Sequence, residues 1–275
     1  MRVECVLPFG LVDATGRRAR KAVLTSLTGH GEMMSAGDDN PFRAALALLA
    51  SCTVQIGAVR DAELDAGRLG ELIPLDRDYL LLQLDRWTFG DARVQTVECP
   101  RAACGRRIDV QFSLSSIDWP AVPDTAVGAY ALADGRTVAF RLPTAEDQVA
   151  LHGLAASALE AAFLTRCVRE GEVGAAALLA MPAAVRAGVV RHIVAASPAL
   201  DLAVPLECVA CRHPFRFVFD PVRSLLAELT GSRTELIKQV HRLALNYHWS
   251  QAEILGLPRV LRHEYLELVQ GEAGR

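Results

Sequence analysis

Four of the seven cysteines fall in two close pairs, Cys99 with Cys104 and Cys208 with Cys211. Thiolates held on tight turns suit Zn²⁺, which takes four soft or borderline ligands in a tetrahedron. Cys208-x-x-Cys211 has the usual spacing for two sulfurs on one ion, and Cys99-x(4)-Cys104 stands at its wide end. Such a site has no open position for water, so it would stabilise a fold and not catalyse. Two other readings of the same residues stay open: unbound thiols adjacent in the core, or a redox CxxC. The second lacks the surrounding βαβ pattern of a thioredoxin. His213, two residues after Cys211, is a candidate replacement for one cysteine.

The surrounding sequence repeats itself weakly. VECPRAACGRRIDVQF and LECVACRHPFRFVF each run from an apolar residue, Glu and Cys, through a turn, to Cys and an alternating strand. Between Cys104 and Cys208 lie 103 residues, far more than a local zinc ribbon holds. The intervening chain is therefore expected to be an insertion between two halves of one site.

The elements needed to position these pairs read as α+β. The plan is β-hairpins and a split, zinc-ribbon-like pair of Cys knuckles, with an inserted helical unit and a helical C-terminal tail. Val3 to Leu7 and Ala22 to Leu27 are strand-like, with turn residues at Asp13-Ala14-Thr15-Gly16. A polar, Gly-rich segment follows from Gly29 to Asn40. Asn40-Pro41 then opens a helix through about Gly57, with Ala45, Leu48, Leu49, Cys52 and Ile56 as its buried stripe. Cys52 is thereby a core thiol. Asp76-Arg77-Asp78 reads as a cap cluster with a local ion pair before Tyr79 to Leu82. Ala129 to Leu142 is a hairpin turning at Asp134-Gly135. Thr144 with Asp147 forms a capping box ahead of an Ala-rich helical tract that reaches about Ala196 and contains a structural Cys167. Asp220-Pro221, Ser232-x-x-Glu235 and Ser250-x-x-Glu253 each announce a helix. The expected organisation is 1–125 with the first knuckle, 126–200 as hairpin plus helical insertion, 201–230 with the second knuckle, and 231–275 as helical tail.

Composition narrows the function classes. Of 275 residues, 51% are hydrophobic and 22% charged, enough for a packed core. Lys and Arg number 29 against 32 Asp and Glu, a formal charge of −3 that does not suit a nucleic-acid or membrane-surface binder. Arg17-Arg18-Ala19-Arg20-Lys21 is a dense basic run without interleaved aromatics, which suits a solvated turn. A zinc-ribbon module of a nucleic-acid-associated complex is the alternative reading. No apolar run is long enough to span a bilayer, and the first residues make a poor secretion signal, so a cytoplasmic protein is expected. Phosphate-loop, dinucleotide, nucleophile-elbow and HExxH signatures are absent, and His241, His248 and His263 lack ligand or triad spacing, so no enzyme is expected.

Two stretches resemble known families. LDRDYLLLQLDRWTFGD followed by VECPRAACG resembles the baseplate-hub assembly proteins of contractile, T-even-like phage tails and related injection systems. Members carry an Asp-Arg-aromatic-Leu-Leu helix and then a strand ending in a Cys-Pro-containing knuckle, and FRLPTAEDQVAL fits the same pattern. LALNYHWSQAEILGLPRVLRHEYLEL is similar to the short phage tail-assembly chaperones. The resemblance implies an assembly factor or structural part of a baseplate or hub. Its partners would be tail hub, spike, tube or tape-measure proteins, with no nucleic acid and no membrane insertion, and incorporation in a tail-like particle is compatible with it. The partner surface it implies is Tyr247, His248, Trp249, Leu255, Leu261 and Tyr265. That short apolar segment must pack on its own body or on a partner.

Overall fold

The structure is a computed structural model that describes residues 2–12, 16–34, 38–200 and 202–273. It mixes helix with small antiparallel sheets. β1 (Arg2–Val12), β2 (Arg18–Thr25), β3 (Thr53–Ile56) and β4 (Val59–Arg60) form one four-stranded sheet in that order. The three remaining sheets are two-stranded hairpins: β5 (Ala92–Glu98) with β6 (Arg107–Ser113), β7 (Val127–Ala131) with β8 (Thr137–Arg141), and β9 (Ala203–Glu207) with β10 (Pro214–Val218). The turn expected at Asp13-Ala14-Thr15 lies outside the described residues.

Helices α1 (Gly29–Met34), α2 (Pro41–Cys52), α3 (Ala66–Gly70) and α4 (Pro74–Phe89) follow the first hairpin, and the later part of that run lies against β1. Asn40 caps α2 by accepting from the N–H groups of Phe42 and Arg43, at 3.1 and 3.2 Å. The helix stops at Cys52, short of the expected Gly57. The β-branched run after it joins the sheet instead, with Ile56 opposite Ala22. Ile56 is buried all the same, in one cluster with Leu48, Leu49 and Cys52.

Asp76 is not a helix cap. The N-cap position of α4 is Ile73, which offers no side-chain bond. The Asp76 carboxylate instead accepts the N–H groups of Phe9 and Gly10, at 2.8 and 2.6 Å. Those two residues sit where β1 bulges away from β2, between Val6 and Leu11. The ladder there has lost its partners, and Asp76 supplies replacements. The expected ion pair does form, between Arg77 and Asp78 at 2.6 Å.

The β7–β8 hairpin is followed by helices α5 (Ala145–Leu151), α6 (Ala156–Cys167), α7 (Ala175–Leu179) and α8 (Ala183–Ala196). Val138, Phe140, Leu164, Cys167, Val189 and Ile193 share one buried cluster with Phe9 of β1 and Leu75 of α4. Asp147 accepts the Thr144 N–H at 2.8 Å, as the capping box requires, and also pairs with Arg141 and Arg166 at 2.6 Å each.

From Asp220 one helix, α9 (Pro221–Tyr247), runs for 27 residues. A second helix was expected to start at Ser232, but Ser232 lies inside α9 and its hydroxyl donates to the Leu229 carbonyl. Leu229, Leu236 and Leu243 keep a buried seven-residue spacing through this point, so nothing breaks the helix. Two more helices follow among the described residues, α10 (Gln251–Gly256), opened by the Ser250–Glu253 capping box, and α11 (Arg259–Ala273). A buried ionic clamp ties α11 to α1: Glu32 pairs with Arg262 and, at 2.8 Å, with Arg259. Arg262 also donates to the Leu257 carbonyl at 2.8 Å.

Candidate metal centre

Each cysteine pair sits at the tip of a hairpin. In the β5–β6 tip the Cys99 N–H donates to the Arg106 carbonyl at 2.9 Å, and the Cys104 N–H donates to Arg101 at 2.8 Å. In the β9–β10 tip the Cys208 N–H donates to His213 at 3.0 Å, and the Arg212 N–H donates back to Cys208 at 2.8 Å. Directly after each second cysteine the chain turns left-handed, at Gly105 (φ 53°) and at Arg212 (φ 56°). Glycine takes that conformation freely, whereas arginine pays about 1–2 kcal/mol for it.

The two tips meet. Cys99 Sγ lies 3.8 Å from Cys211 Sγ, and Cys104 Sγ lies 3.8 Å from Cys208 Sγ. All four sulfurs are within 4.8 Å of one another, and the cluster can hold a metal ion. A tetrahedron with sulfur arms of ~2.3 Å has edges of about 3.8 Å. A disulfide would need ~2.05 Å between sulfurs, and all seven cysteines are free thiols. Expecting the pairs to share one place despite their separation is thus met by the geometry. His213 is not in the cluster among the described residues.

Beneath the tips, the hairpins rest on a small apolar cluster. Phe112 of β6 meets Phe219 edge to face at 5.0 Å, with Leu82 and Leu114 buried beside them. Leu82 belongs to α4, so the helix ahead of the first knuckle supports both hairpins.

Backbone N–H groups also point at the sulfurs. Cys208 Sγ accepts from Cys211 and Ala210, and this brings its thiol down to about 7. Burial, joined by the neighbouring thiols, pushes Cys99 up to about 12 against the N–H of Arg101. One thiolate is thus favoured, and burial beside the neighbouring thiols disfavours ionising Cys99 without a cation. By contrast Cys5, Cys52 and Cys167 are isolated in the core, where burial pushes each to about 11. They behave as small apolar side chains.

The C-terminal residues divide. Tyr247 stacks on Trp249 at 4.8 Å, and Tyr265 meets the two rings at 5.5 and 4.9 Å. These three half-buried rings cover Leu243, Ile254 and Leu266. His248 is exposed and ends α9 in the left-handed conformation. Leu261 is half-buried and lines a crevice with Leu27, Trp87 and Pro258. Leu255 is buried, against Gly29, where an added Cβ would come within 2.8 Å of its Cδ2. Sequence reasoning missed Ile237 and Leu245, which α9 exposes by 54% and 67%. Their signal was the eight-residue separation, which puts both on one helix face.

Among the described residues no helix is long and apolar enough to cross a membrane. A family model described as T4 bacteriophage base plate protein matches residues 35–227, more than two thirds of the chain. The matched span contains all four clustered cysteines. No curated protein and no solved structure matches the chain.

Proposed function

The chain belongs to the T4 bacteriophage base plate protein family, and on that premise we propose that it is a non-catalytic assembly factor or structural component of a baseplate hub. The setting is a contractile tail or a related injection system, and the mode of action is protein–protein binding. Its partners are hub, spike, tube or tape-measure proteins. The observation that carries this reading is the extent of the family match, which takes in both knuckles and the whole helical insertion between them.

Zn²⁺ is the ion we assign to Cys99, Cys104, Cys208 and Cys211. Four sulfurs at these separations suit a tetrahedral ion, and such an ion joins hairpins distant in sequence into one rigid body. The ion's part is structural. A rigid hairpin pair suits a protein that must present a fixed surface to a partner, because pre-ordering lowers the entropy cost of binding. The C-terminal surface around Tyr247, His248, Trp249, Leu261 and Tyr265 is the partner-binding region in this reading, and Leu255, which is buried, drops out of it.

The test is removal of the chain from cells that build such tails. Electron microscopy should then show tubes or sheaths without complete baseplates, restored when the intact chain is supplied. Normal baseplates in its absence would overturn the proposal.

A further inference from the structure

The second half of α9 has two opposite faces. Leu229, Leu236 and Leu243 pack inward. Ile237, His241 and Leu245 recur every four residues on the outside and form a stripe about 12 Å long. Both aliphatic members are more than half exposed, at 54% and 67%. Lys238 and Arg242, also four apart, run along one flank of the stripe. Glu235 is the nearby carboxylate on the same helix, and it is already paired with Lys238 at 3.5 Å. Arg242 has no ion-pair partner among the described residues. At its far end the stripe continues into exposed His248 and the Tyr247–Trp249 stack.

We propose that this face docks an acidic amphipathic helix of a partner protein. The proposal rests on the baseplate reading and names the kind of partner element that reading leaves open. A stripe of i, i+4, i+8 residues receives another helix by ridges into grooves, with apolar residues on the seam. Arg242, which has no ion-pair partner among the described residues, and Lys238, shared with Glu235, favour carboxylates on the incoming helix. A second copy of this chain is disfavoured on the same ground. Antiparallel pairing of two such stripes sets Lys238 and Arg242 of one copy near those of the other.

The test uses the full chain in tail-assembling cells, with Leu245→p-benzoylphenylalanine as a photo-crosslinker and mass spectrometry to locate the adduct. The expected adduct lies in a partner segment with apolar residues three and four apart and an excess of Asp and Glu. Lys238→Glu with Arg242→Glu should cut its yield about ten-fold or more, while the thermal transition stays put. Reversing the partner's acidic residues to lysine in that background should restore it. An adduct with a second copy, with lipid, or with a segment lacking acidic helical character would overturn the proposal. So would a yield indifferent to the charge reversal. If the baseplate reading itself fails, tail proteins are absent from every pull-down of the chain; if only this inference fails, they are present and Leu245 does not touch an acidic helix.

Discussion

Cys99 and Cys211 stand 112 residues apart in the chain and 3.8 Å apart at their sulfurs. The contact crosses from one hairpin to the other, and so does the Cys104–Cys208 contact. Neither hairpin can hold a four-thiolate ion alone. Metal loading therefore reports on whether the two hairpin tips have come together, and Cys99→Ser or Cys211→Ser should damage loading equally. Each variant should bind less than one zinc per chain by plasma emission spectrometry and melt below the intact protein. Cys52→Ser or Cys167→Ser should leave the zinc content unchanged, although both remove a buried thiol.

Chelation should act through the same contact. Metal loading requires thiolates and releases protons, so competition with a strong chelator should strip the ion more readily as pH falls. Stripping should loosen the two hairpins first. Amide exchange should accelerate in β5, β6, β9 and β10, while β1–β2 keep their protection.

Asp76 and Asp147 should bend the pH profile of stability in opposite directions. Burial lifts Asp76 to about 6, against the pull of the Phe9 and Gly10 N–H groups. Its proton is held more tightly in the folded state, so its contribution is full below about pH 4 and lost as pH rises through about 6. The loss amounts to at most about 3 kcal/mol. Burial also opposes ionisation of Asp147, but Arg141, the Thr144 N–H and Arg166 outweigh it and hold the group near 2. Its contribution is present above about pH 4 and lost as pH falls towards 2. Urea denaturation between pH 4 and 7 should show the first slope in the intact protein and not in Asp76→Asn. Asp147→Asn should flatten the acid limb.

The Glu32–Arg262 pair should be costly to break and cheap to replace. Both side chains are buried, so Arg262→Ala takes the fully buried cation away from a carboxylate in the interior. The expected loss is about 3–5 kcal/mol. Glu32→Leu with Arg262→Met removes both charges and should cost less than the single change. Equal losses in the single and double variants would show that packing, not charge, is the mechanism.

Trp249→Ala tests the aromatic cap. Its ring is half-buried over Leu243 and Ile254, so the variant should keep a cooperative melt and lose partner capture. Loss of the cooperative transition would assign Trp249 to the core.

Local chemistry was legible in the chain, and long-range use of the same residue types was not. The cysteine pairs could be read because two sulfurs on one turn need a fixed spacing. Asn40, Thr144, Asp220 and Ser250 could be read as caps because a helix start satisfies its own N–H groups within three residues. Ser232-x-x-Glu235 carries the same letters, yet the buried Leu229–Leu236–Leu243 stripe continues through it and no breaker intervenes. Asp76 serves a bulge 66 and 67 residues before it, and Glu32 serves an arginine 230 residues after it. No local period carries either relationship.

The central claim is that this chain works among baseplate proteins. Quantitative mass spectrometry of two samples from one producing culture tests it most directly: purified sheathed particles, and a soluble pull-down with the tagged chain. The account predicts the chain in the particles at a fixed ratio to the spike, or hub and tape-measure proteins enriched in the pull-down. Absence from the particles together with a pull-down dominated by nucleic-acid machinery would contradict it.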